Sequence, residues 1–457
     1  MISALAALAN LVVIYVLFRL DHGGQRVSRA VWIPFAWLLI ESSRPISGWL
    51  SAPVGDVADT YIDGSPLDRN VLTLLLLLAA FVLSKRMYNV RGFLALNTPM
   101  VVYFAYCLLS LLWSDYPFVV FKRWIRSVAD VMMVLIILSE SDWVAALSRV
   151  LTTLTYILIP TSILFIRFFP SLGRFYSRGG VPEWTGVGTD KNALGMICML
   201  FGVFTLWRLL NPEKEGLPKS HIRRRRVALI AAFLMIIYLL LVVNSQTALA
   251  CFAMACIVVV LASRTRWFLR PANASVLVWG MVAASCCVLF LGVGGIVLTA
   301  LGRDASLTGR TDVWRTVLPY AANTWVGAGY ENFWIGDRMR LFERLLGGLN
   351  QAHNGYIEVY LNIGVVGLTL LAAIIVVGYQ NILYGLQRDP RAGGLRMAFF
   401  MICLIYNFTE ASFKMMSPVW LLFILSAAAL PMNRPLRAKT ATPLWEPRRR
   451  DLWRVSP

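Results

Sequence analysis

Long apolar runs recur along the whole chain, and short polar connections separate them. A helix needs about 20 mostly apolar residues to cross the roughly 30 Å hydrocarbon core of a bilayer. By this criterion the pattern predicts about thirteen spans, and the expected fold class is an all-α, polytopic transmembrane helical bundle. The predicted spans lie near residues 2–18, 30–49, 69–84, 97–113, 122–139, 149–169, 190–210, 226–243, 245–262, 273–301, 362–386, 394–411 and 416–431.

One long polar connection, residues 302–361, divides this pattern, and we name it the loop segment. Ten of the predicted helices precede it in residues 1–301, and three follow it in residues 362–431. Residues 432–457 form a basic tail that is expected to lie against anionic headgroups in the cytoplasm. The first span has no cationic start, so we expect it to be retained and not cleaved as a signal peptide.

The loop segment is expected to fold, because structureless loops longer than about 15 residues are uncommon. Thr311 is a candidate N-cap for a first amphipathic helix. The predicted apolar face of that helix comprises Trp314, Val317, Leu318, Ala321 and Trp325. A second amphipathic stretch groups Leu341, Phe342, Leu345, Leu346 and Leu349. Both stretches fit short helices at a membrane interface, although packing alone also explains their apolar faces.

The composition excludes a soluble protein. Apolar residues make up 58% of the chain and charged residues only 15%, with a mean hydropathy of +0.66. Soluble chains carry roughly 25% charged residues. The net charge of +19 is spread over short connections, which suits the basic loops of a membrane protein better than a groove for nucleic acid. No nucleic-acid partner is expected.

The distribution of Lys and Arg predicts the orientation in the membrane. Alternate connections carry 26 of these residues on one side and 14 on the other, although the second set includes the loop segment. Because cytoplasmic loops are enriched in positive charge, the first set is assigned to the cytoplasm. The N-terminus and the loop segment are therefore expected outside, and the C-terminus inside.

The cations of the loop segment run against this tendency and need an explanation. They are Arg303, Arg310, Arg315, Arg338, Arg340 and Arg344. Guanidinium binds phosphate oxygens in pairs, so a phosphate ligand is one explanation. Arg310, between Gly309 and the predicted Thr311 cap, occupies a corner suited to an anion. Solvated surface is the alternative, above all for Arg338, Arg340 and Arg344.

His353 is the only histidine in a predicted outward segment. It precedes Asn354 and Glu358 at the start of a predicted helix. Histidine titrates near neutral pH and can take a proton from a hydroxyl nucleophile, so His353 is the candidate catalytic residue. A purely structural histidine is the alternative interpretation.

Further ionisable residues are predicted at the same membrane face. Arg126 and Asp130 lie near the outer end of one span, Arg167, Arg174 and Arg178 precede Lys191, and Glu410 and Lys414 mark the last outward turn. Such residues are costly in a membrane and are therefore functional candidates. No charge is clearly at mid-membrane, which argues against an ion-coupled transporter and favours a site that a lipid headgroup can reach.

Neither a metal nor another cofactor is expected. All seven cysteines fall inside apolar spans, where they are best explained as small buried apolar side chains. The predicted outward segments contain no Asp, Glu and His cluster with convincing metal-ligand spacing.

Several motifs resemble those of the O-antigen ligase and Wzy polymerase superfamily. The most specific are Thr308-Gly309-Arg310-Thr311 and His353-Asn354, the latter followed at the family's spacing by Gly364-Val365-Val366-Gly367. The other matching motifs are Gly327-Ala328-Gly329, Asn332-Phe333-Trp334, Asp190-Lys191-Asn192-Ala193-Leu194-Gly195, Trp113-Ser114-Asp115-Tyr116-Pro117 and Ser43-Arg44-Pro45. The last of these suggests the ExoQ-like exopolysaccharide branch.

The resemblance implies that the protein moves an oligosaccharide from undecaprenyl pyrophosphate to an acceptor hydroxyl, without a metal and with inversion. The reaction would take place at the periplasmic face of the bacterial inner membrane. His353 would act as general base or orient the acceptor. Arg310 would bind the carrier phosphates, with Arg178 and Lys191 as further cations. The supporting residues would be Arg303, Asn354 and Glu358.

Three alternatives remain at this point. The acceptor could be a second lipid-linked glycan, as in a polymerase, or lipid A core, as in a ligase; the ExoQ-like motif favours the polymerase. The protein could instead be a flippase for the same lipid-linked sugar, which would require midplane charges and internal repeats. It could also be a non-catalytic component that binds other polysaccharide assembly proteins.

Overall fold

The computed structural model describes residues 1–21, 27–50, 65–176, 182–212, 218–290, 308–346 and 350–430. The described residues form helices and one two-stranded antiparallel hairpin, so the predicted all-α membrane fold class is confirmed. The helices are α1 (Ile2–Leu20), α2 (Trp32–Glu41), α3 (Ile46–Trp49), α4 (Pro66–Ser84), α5 (Met87–Leu96), α6 (Thr98–Leu109), α7 (Pro117–Leu138), α8 (Trp143–Phe168), α9 (Pro170–Gly173), α10 (Lys191–Leu210), α11 (Lys219–Val243), α12 (Gln246–Arg264), α13 (Pro271–Phe290), α14 (Thr308–Val317), α15 (Asp337–Leu346), α16 (Gly355–Arg388), α17 (Pro390–Tyr406) and α18 (Pro418–Ala427). The hairpin strands are β1 (Arg174–Tyr176) and β2 (Pro182–Trp184).

Each predicted span contains a helix, but fewer helices meet a strict criterion of length and apolar composition. Among the described residues, eight are long and apolar enough to cross a membrane, or nine if the bent pair α5 and α6 forms one span. The remaining predicted spans contain α2, α7, α17 and α18. Three of these have only 10 to 17 residues, and α7 carries four charged side chains within its 22 residues. The side of the membrane that each end faces stays a prediction, and the predicted tail 432–457 lies outside the described residues.

Two predicted spans are interrupted. The span predicted over 30–49 divides into α2 and the four-residue α3, with Pro45 at the N-cap of α3. The helix α6 meets α5 at an angle of 91°, centred on Asn97. The Asn97 side chain donates to the Phe93 carbonyl at 2.9 Å and accepts from the Ala429 N–H at 2.7 Å. The Asn97 side chain therefore joins the bend to the residues that follow α18.

Small side chains let the central helices of the bundle approach closely. The helix α10 packs against α11 and α12, and α12 packs against α17. A Cβ atom on Gly202 of α10 would lie 2.7 Å from the Phe252 ring of α12. On the outside, α1 and α4 expose leucines such as Leu8 and Leu77. A broad apolar exterior is what a helical bundle presents to lipid.

The loop segment forms a second, smaller core. Its buried residues are Val313, Val317, Ala328, Phe333, Trp334, Phe342, Ala352 and Leu361. Two details of the prediction were wrong. The first helix begins at Thr308 and not after Thr311, which places Arg310 in its first turn. It ends at Val317 because Pro319 follows in a short 3-10 turn, so Trp325 lies outside the helix and is 66% exposed.

Side chains of the bundle hold this segment in place. The Trp113 indole donates to the Val326 carbonyl at 3.1 Å, and Arg338 forms an ion pair with Asp115 at 2.7 Å. Arg338 therefore has a specific partner, and its interpretation as solvated surface was wrong. The Tyr330 hydroxyl also donates to Ser127 of α7 at 2.8 Å. The motif Trp113–Pro117 thus helps to seat the loop segment on the bundle.

A break in α16 receives the loop segment. Ile363 and Gly364 have non-helical backbone angles, with φ +66° at Gly364. The N–H groups of Val365 and Val366 donate to the carbonyls of Thr324 and Trp325 at 2.9 and 3.1 Å. A Cβ on Gly364 would lie only 2.2 Å from the Trp325 carbonyl oxygen. Only glycine fits here, because both the backbone angles and the close approach exclude a side chain.

We predict that Gly364→Ala lowers the free energy of unfolding by about 1–3 kcal/mol, since the new methyl group forces the two chains apart. Thermal unfolding of the purified protein in detergent measures the effect as a fall in Tm. Gly280→Ala in α13 is the matched control, because outside its own stretch of helix no described residue has an atom within 4 Å of the added Cβ. Equal Tm values for the two variants would contradict the proposed role of this break.

Candidate active site

Three parts of the chain meet at the loop-segment end of the bundle. They are the first turn of α14, residues 350–354 before α16, and the turn 407–417 between α17 and α18. Each contributes a polar side chain to one connected group, comprising Arg310, His353 and Glu410, which we name the central cluster. Two of its members, Arg310 and His353, are the residues that the sequence singled out.

Glu410 is the link between the other two members. Its Oε1 accepts from Nη2 of Arg310 at 2.7 Å, and its carboxylate is only 9% exposed. The Arg310 side chain is 25% exposed. Among the described residues Arg310 forms a hydrogen bond only through Nη2. Because guanidinium has five N–H donors, others stay available on the accessible side of Arg310.

His353 faces the second carboxylate oxygen of Glu410. Its Nδ1 lies 3.5 Å from Oε2 of Glu410 and 3.5 Å from Nε2 of Gln351. Within the described residues the ring is hydrogen-bonded through Nδ1 alone, so Nε2 has no such partner. The backbone of His353 has φ +49°, in the left-handed region. Few side chains other than Asn, Asp and His enter that region, and they do so at a cost.

Asn354 fixes the start of the helix that follows His353. Its side-chain oxygen accepts from the N–H groups of Tyr356 and Ile357, both at 3.0 Å, so it is the N-cap of α16. Its Nδ2 donates to the Phe408 carbonyl at 3.0 Å. Asn354 therefore joins the start of α16 to the turn that carries Glu410.

Glu358 holds the backbone on the other side of His353. Its buried carboxylate accepts from the N–H of Ala352 and, at 2.9 Å, from the indole of Trp334. The Ala352 carbonyl in turn accepts from the indole of Trp314 at 2.8 Å. The N–H and the carbonyl of Ala352, the residue before His353, are therefore both hydrogen-bonded. Glu358 thus acts on the site through the backbone of Ala352, and its supporting role stays a prediction.

A second cation, Lys414, lies beside the central cluster. Its Nζ is 3.3 Å from Oε1 of Gln351, and its charge acts on Glu331 and Glu358. Burial raises the pKa of the Glu331 carboxyl, whereas the Arg123 and Lys414 cations lower it. The turn 407–417 thus brings one anion, Glu410, and one cation, Lys414, to the candidate site.

The start of α10 lies close to the cluster, but Lys191 is occupied elsewhere. Asp190 caps the helix by accepting from the Ala193 N–H at 2.9 Å. Nζ of Lys191 pairs with Glu183 of β2 at 2.7 Å, and its side chain is 44% exposed. The Tyr406 side chain lies near both the start of α10 and the central cluster. It interacts electrostatically with Asp190 at the start of α10 and with Glu410 and Arg310 of the cluster.

Two predicted site residues, Arg178 and Arg303, lie outside the described residues. Arg44, from the Ser-Arg-Pro motif, has a different role from a phosphate ligand. Its guanidinium donates to the carbonyls of Gly186 and Gly188, at 3.2 and 3.1 Å, and to that of Leu172. Arg44 therefore holds the connection that leads from the β hairpin into α10.

The chain is similar to known proteins over much of its length. A family model described as O-antigen ligase matches residues 230–372. The chain is also 27% identical over 350 residues to the exopolysaccharide production protein ExoQ of Rhizobium meliloti (strain 1021), an alignment that covers 74% of this chain and 77% of that protein. The predicted resemblance to the O-antigen ligase and ExoQ-like proteins is confirmed. Together with the apolar helices, both matches support a multi-pass, polysaccharide-related, glycan-transferring membrane protein.

The region that matches the O-antigen ligase model contains Arg310 and His353, whereas Glu410 lies beyond it. The sequence predicts that Glu410 and Lys414 share an outward turn, but it does not indicate their partners. Arg310 and Glu410 are 100 positions apart in the chain. The available signal was the pair of charges, Glu410 and Lys414, in one short turn between two apolar spans.

We predict that Asn354→Ala lowers the free energy of unfolding by about 0.5–2 kcal/mol, the usual cost of losing an N-cap side chain. Asn354→Ser keeps a capping oxygen and loses only the donor to Phe408, so its loss should be smaller. Thermal or denaturant unfolding of the detergent-solubilised protein ranks the two variants. A larger loss for Asn354→Ser than for Asn354→Ala would contradict the capping role.

Proposed function

We propose that the protein is a polymerase of the bacterial inner membrane. It transfers an oligosaccharide from undecaprenyl pyrophosphate to a sugar hydroxyl of an acceptor glycan at the periplasmic face. The observation that carries this proposal is the central cluster. In it the buried Glu410 carboxylate contacts both the His353 imidazole, which can act as a base, and the Arg310 guanidinium, which is a typical phosphate ligand. The similarity to ExoQ, whose name describes exopolysaccharide production, favours this product class.

His353 is the proposed general base. With Nδ1 directed at the Glu410 carboxylate, the neutral ring is expected to carry its proton on Nδ1 and to keep the lone pair of Nε2 free. Glu410 then orients the ring and stabilises its protonated form, as a buried acid does in other base–acid pairs. Nε2 takes the proton of the acceptor hydroxyl as its oxygen attacks.

Arg310 is the proposed ligand of the leaving group. The acceptor oxygen forms a bond to the anomeric carbon, and the bond from that carbon to the phosphate oxygen breaks. Undecaprenyl pyrophosphate departs with the bonding electron pair and gains negative charge at the bridging oxygen. The free N–H donors of Arg310, with Lys414 close by, would stabilise this charge. Arg178 and Lys191 stay predicted further cations for the phosphates, and Arg303 stays a predicted supporting residue.

A lipid-linked donor fits both the compartment and the position of the site. The periplasm supplies no nucleotide sugar, so an activated donor must arrive from the bilayer. The central cluster lies at the ends of the helices that form the bundle, where a headgroup is within reach. The acceptor is expected to be a second lipid-linked glycan.

A ligase that transfers the glycan to lipid A core is the second candidate. The description of the matching family model, O-antigen ligase, favours it. Donor site and proton transfer are the same in both reactions, so the acceptor alone separates them. Reconstitution with each acceptor, using one donor preparation, distinguishes polymerase from ligase by which product forms.

We predict that His353→Ala and Arg310→Ala each reduce glycan transfer by about 100-fold or more, since each removes a group that acts in the transition state. The assay uses purified protein in proteoliposomes with an undecaprenyl-pyrophosphate oligosaccharide, and gel analysis of chain extension. Matched controls are His221→Ala, a histidine in the first turn of α11, and Arg315→Ala, an 82% exposed arginine on the same helix as Arg310. Full activity of both site variants, with normal insertion, would overturn the assigned site.

We also predict that transfer continues in EDTA, because arginine and lysine side chains supply the positive charge for the leaving group. The measurement compares initial rates before and after chelation, at constant ionic strength. Loss of activity that returns only on addition of a divalent ion would refute the metal-independent mechanism.

A further inference from the structure

A groove between α4 and α7 lies outside the central cluster. Its volume is about 340 Å³, and Trp37 of α2 closes one side. We name it the α4–α7 groove. The groove is lined by three cations, Arg69, Lys122 and Arg126, and by mainly apolar side chains that include Leu72 and Leu76. No acidic residue of the described part of the chain lines it.

The cations and the apolar residues are segregated along the helices. Arg69 lies in the first turn of α4, and the apolar Leu72 and Leu76 follow deeper in the same helix. On α7, Lys122 and Arg126 precede Ala129. At 1.5 Å per residue, the distance from Lys122 to Ala129 is about 10 Å along the axis. Such a gradient fits an amphiphile with an anionic head and a hydrocarbon tail.

Arg126 lacks a protein partner that would neutralise it fully. It forms no hydrogen bond or ion pair with any residue that the structure describes. The Arg123 charge repels it and the Asp68 charge attracts it. Asp68 is itself engaged, because it accepts from the N–H and the hydroxyl of Ser47. An anionic ligand in the groove would offset the mutual repulsion of these cations.

The neighbouring face of α7 contacts the loop segment and the turn that carries Glu410. Arg123 donates to the Glu331 carbonyl, Ser127 accepts from Tyr330, and Asp130 accepts from the N–H of Met416. This face is about 140° around the helix from the one that lines the groove. The side chains of α7 therefore form the border between the groove and the active-site region, with a separation of the order of one helix diameter, ~10 Å.

This separation suits the acceptor of the proposed polymerase better than its donor. The anomeric carbon of the donor is attached directly to its pyrophosphate, so the donor phosphates must lie beside His353 and Arg310. The reacting hydroxyl of the acceptor lies on its glycan, away from its own carrier phosphates. The acceptor phosphates must therefore bind at a distance from His353, on the same side of the membrane.

We infer that the α4–α7 groove binds the pyrophosphate and the first isoprene units of the lipid-linked acceptor glycan. This inference rests on the proposed function for the identity of the lipid. Arg69, Lys122 and Arg126 bind the phosphates, while Leu72 and Leu76 contact the polyprenyl chain. Two lipid carriers then occupy separate sites on the two sides of the α7 border.

Photo-crosslinking of the full chain in nanodiscs tests this site without turnover. The probe is a polyprenyl pyrophosphate with a diazirine in its first isoprene units, and labelled peptides are identified by mass spectrometry. We expect labels within 66–76 and 117–129. The double variant Arg69→Gln and Arg126→Gln should reduce these labels about tenfold or more, as expected for lost hydrogen bonds to charged groups. The control double variant, Arg266→Gln and Arg270→Gln, removes two exposed arginines between α12 and α13 and should label as the wild type does.

Competition distinguishes the source of the lipid. Unlabelled polyprenyl pyrophosphate should remove the groove labels, whereas the same concentration of phosphatidylglycerol should not. Equal competition by phosphatidylglycerol would overturn the inference in favour of a resident phospholipid, and absence of groove labels would overturn it outright. His353→Ala should label the groove normally, so loss of transfer in that variant tests the proposed function separately.

Kinetics of chain extension supply the functional readout. The double variant Arg69→Gln and Arg126→Gln should raise the KM for the acceptor about tenfold, while the KM for the donor and kcat stay unchanged. A rise in the donor KM instead would assign the groove to the donor and contradict the inference. A fall in kcat alone, with both KM values unchanged, would also contradict it.

Discussion

A carboxylate withdrawn from water at the end of an apolar bundle requires a close cation, and Glu410 is such a carboxylate. Removing an ion from water costs several kcal/mol, which only a near partner with good geometry recovers. Arg310 provides this partner at 2.7 Å, and it comes from the loop segment and not from the bundle. The ion pair therefore joins the two parts of the protein, and the second oxygen of the same carboxylate faces His353.

The rest of the active-site region holds this arrangement in place. His353 is kept in the left-handed backbone region by contacts on both sides, from Asn354 at the helix start and from Glu358 beneath Ala352. The break at Gly364 lets the loop segment enter α16, and Asp115 and Trp113 fix its other side. A glycosyl transfer without a covalent intermediate depends mainly on such fixed positions of base, acceptor and leaving group.

The helix α7 relates the active-site region to the α4–α7 groove. One face of α7 binds the backbone of the loop segment and of the turn 407–417, and the neighbouring face presents cations above apolar side chains. A reaction between two lipid-linked glycans needs two anionic headgroups on one membrane face, with their reacting ends together. In the proposed reaction, Lys122 and Arg126 on the groove face would hold the acceptor headgroup apart from that of the donor. The other two charged residues of α7, Arg123 and Asp130, instead bind the backbone of the loop segment and of the turn 407–417.

The sequence by itself determined the helical membrane fold, the separate loop segment and the family resemblance, because apolar run length and short motifs are local properties. It also singled out Arg310 and His353. Only the tertiary structure decided their common partner, since Glu410 lies 100 positions from Arg310. The same holds for Lys191, which pairs with Glu183, and for Arg338, which pairs with Asp115 at a separation of 223 positions. Periodicity predicts which face of a helix is apolar, but the burial of a charge and its partner depend on which distant segment packs there.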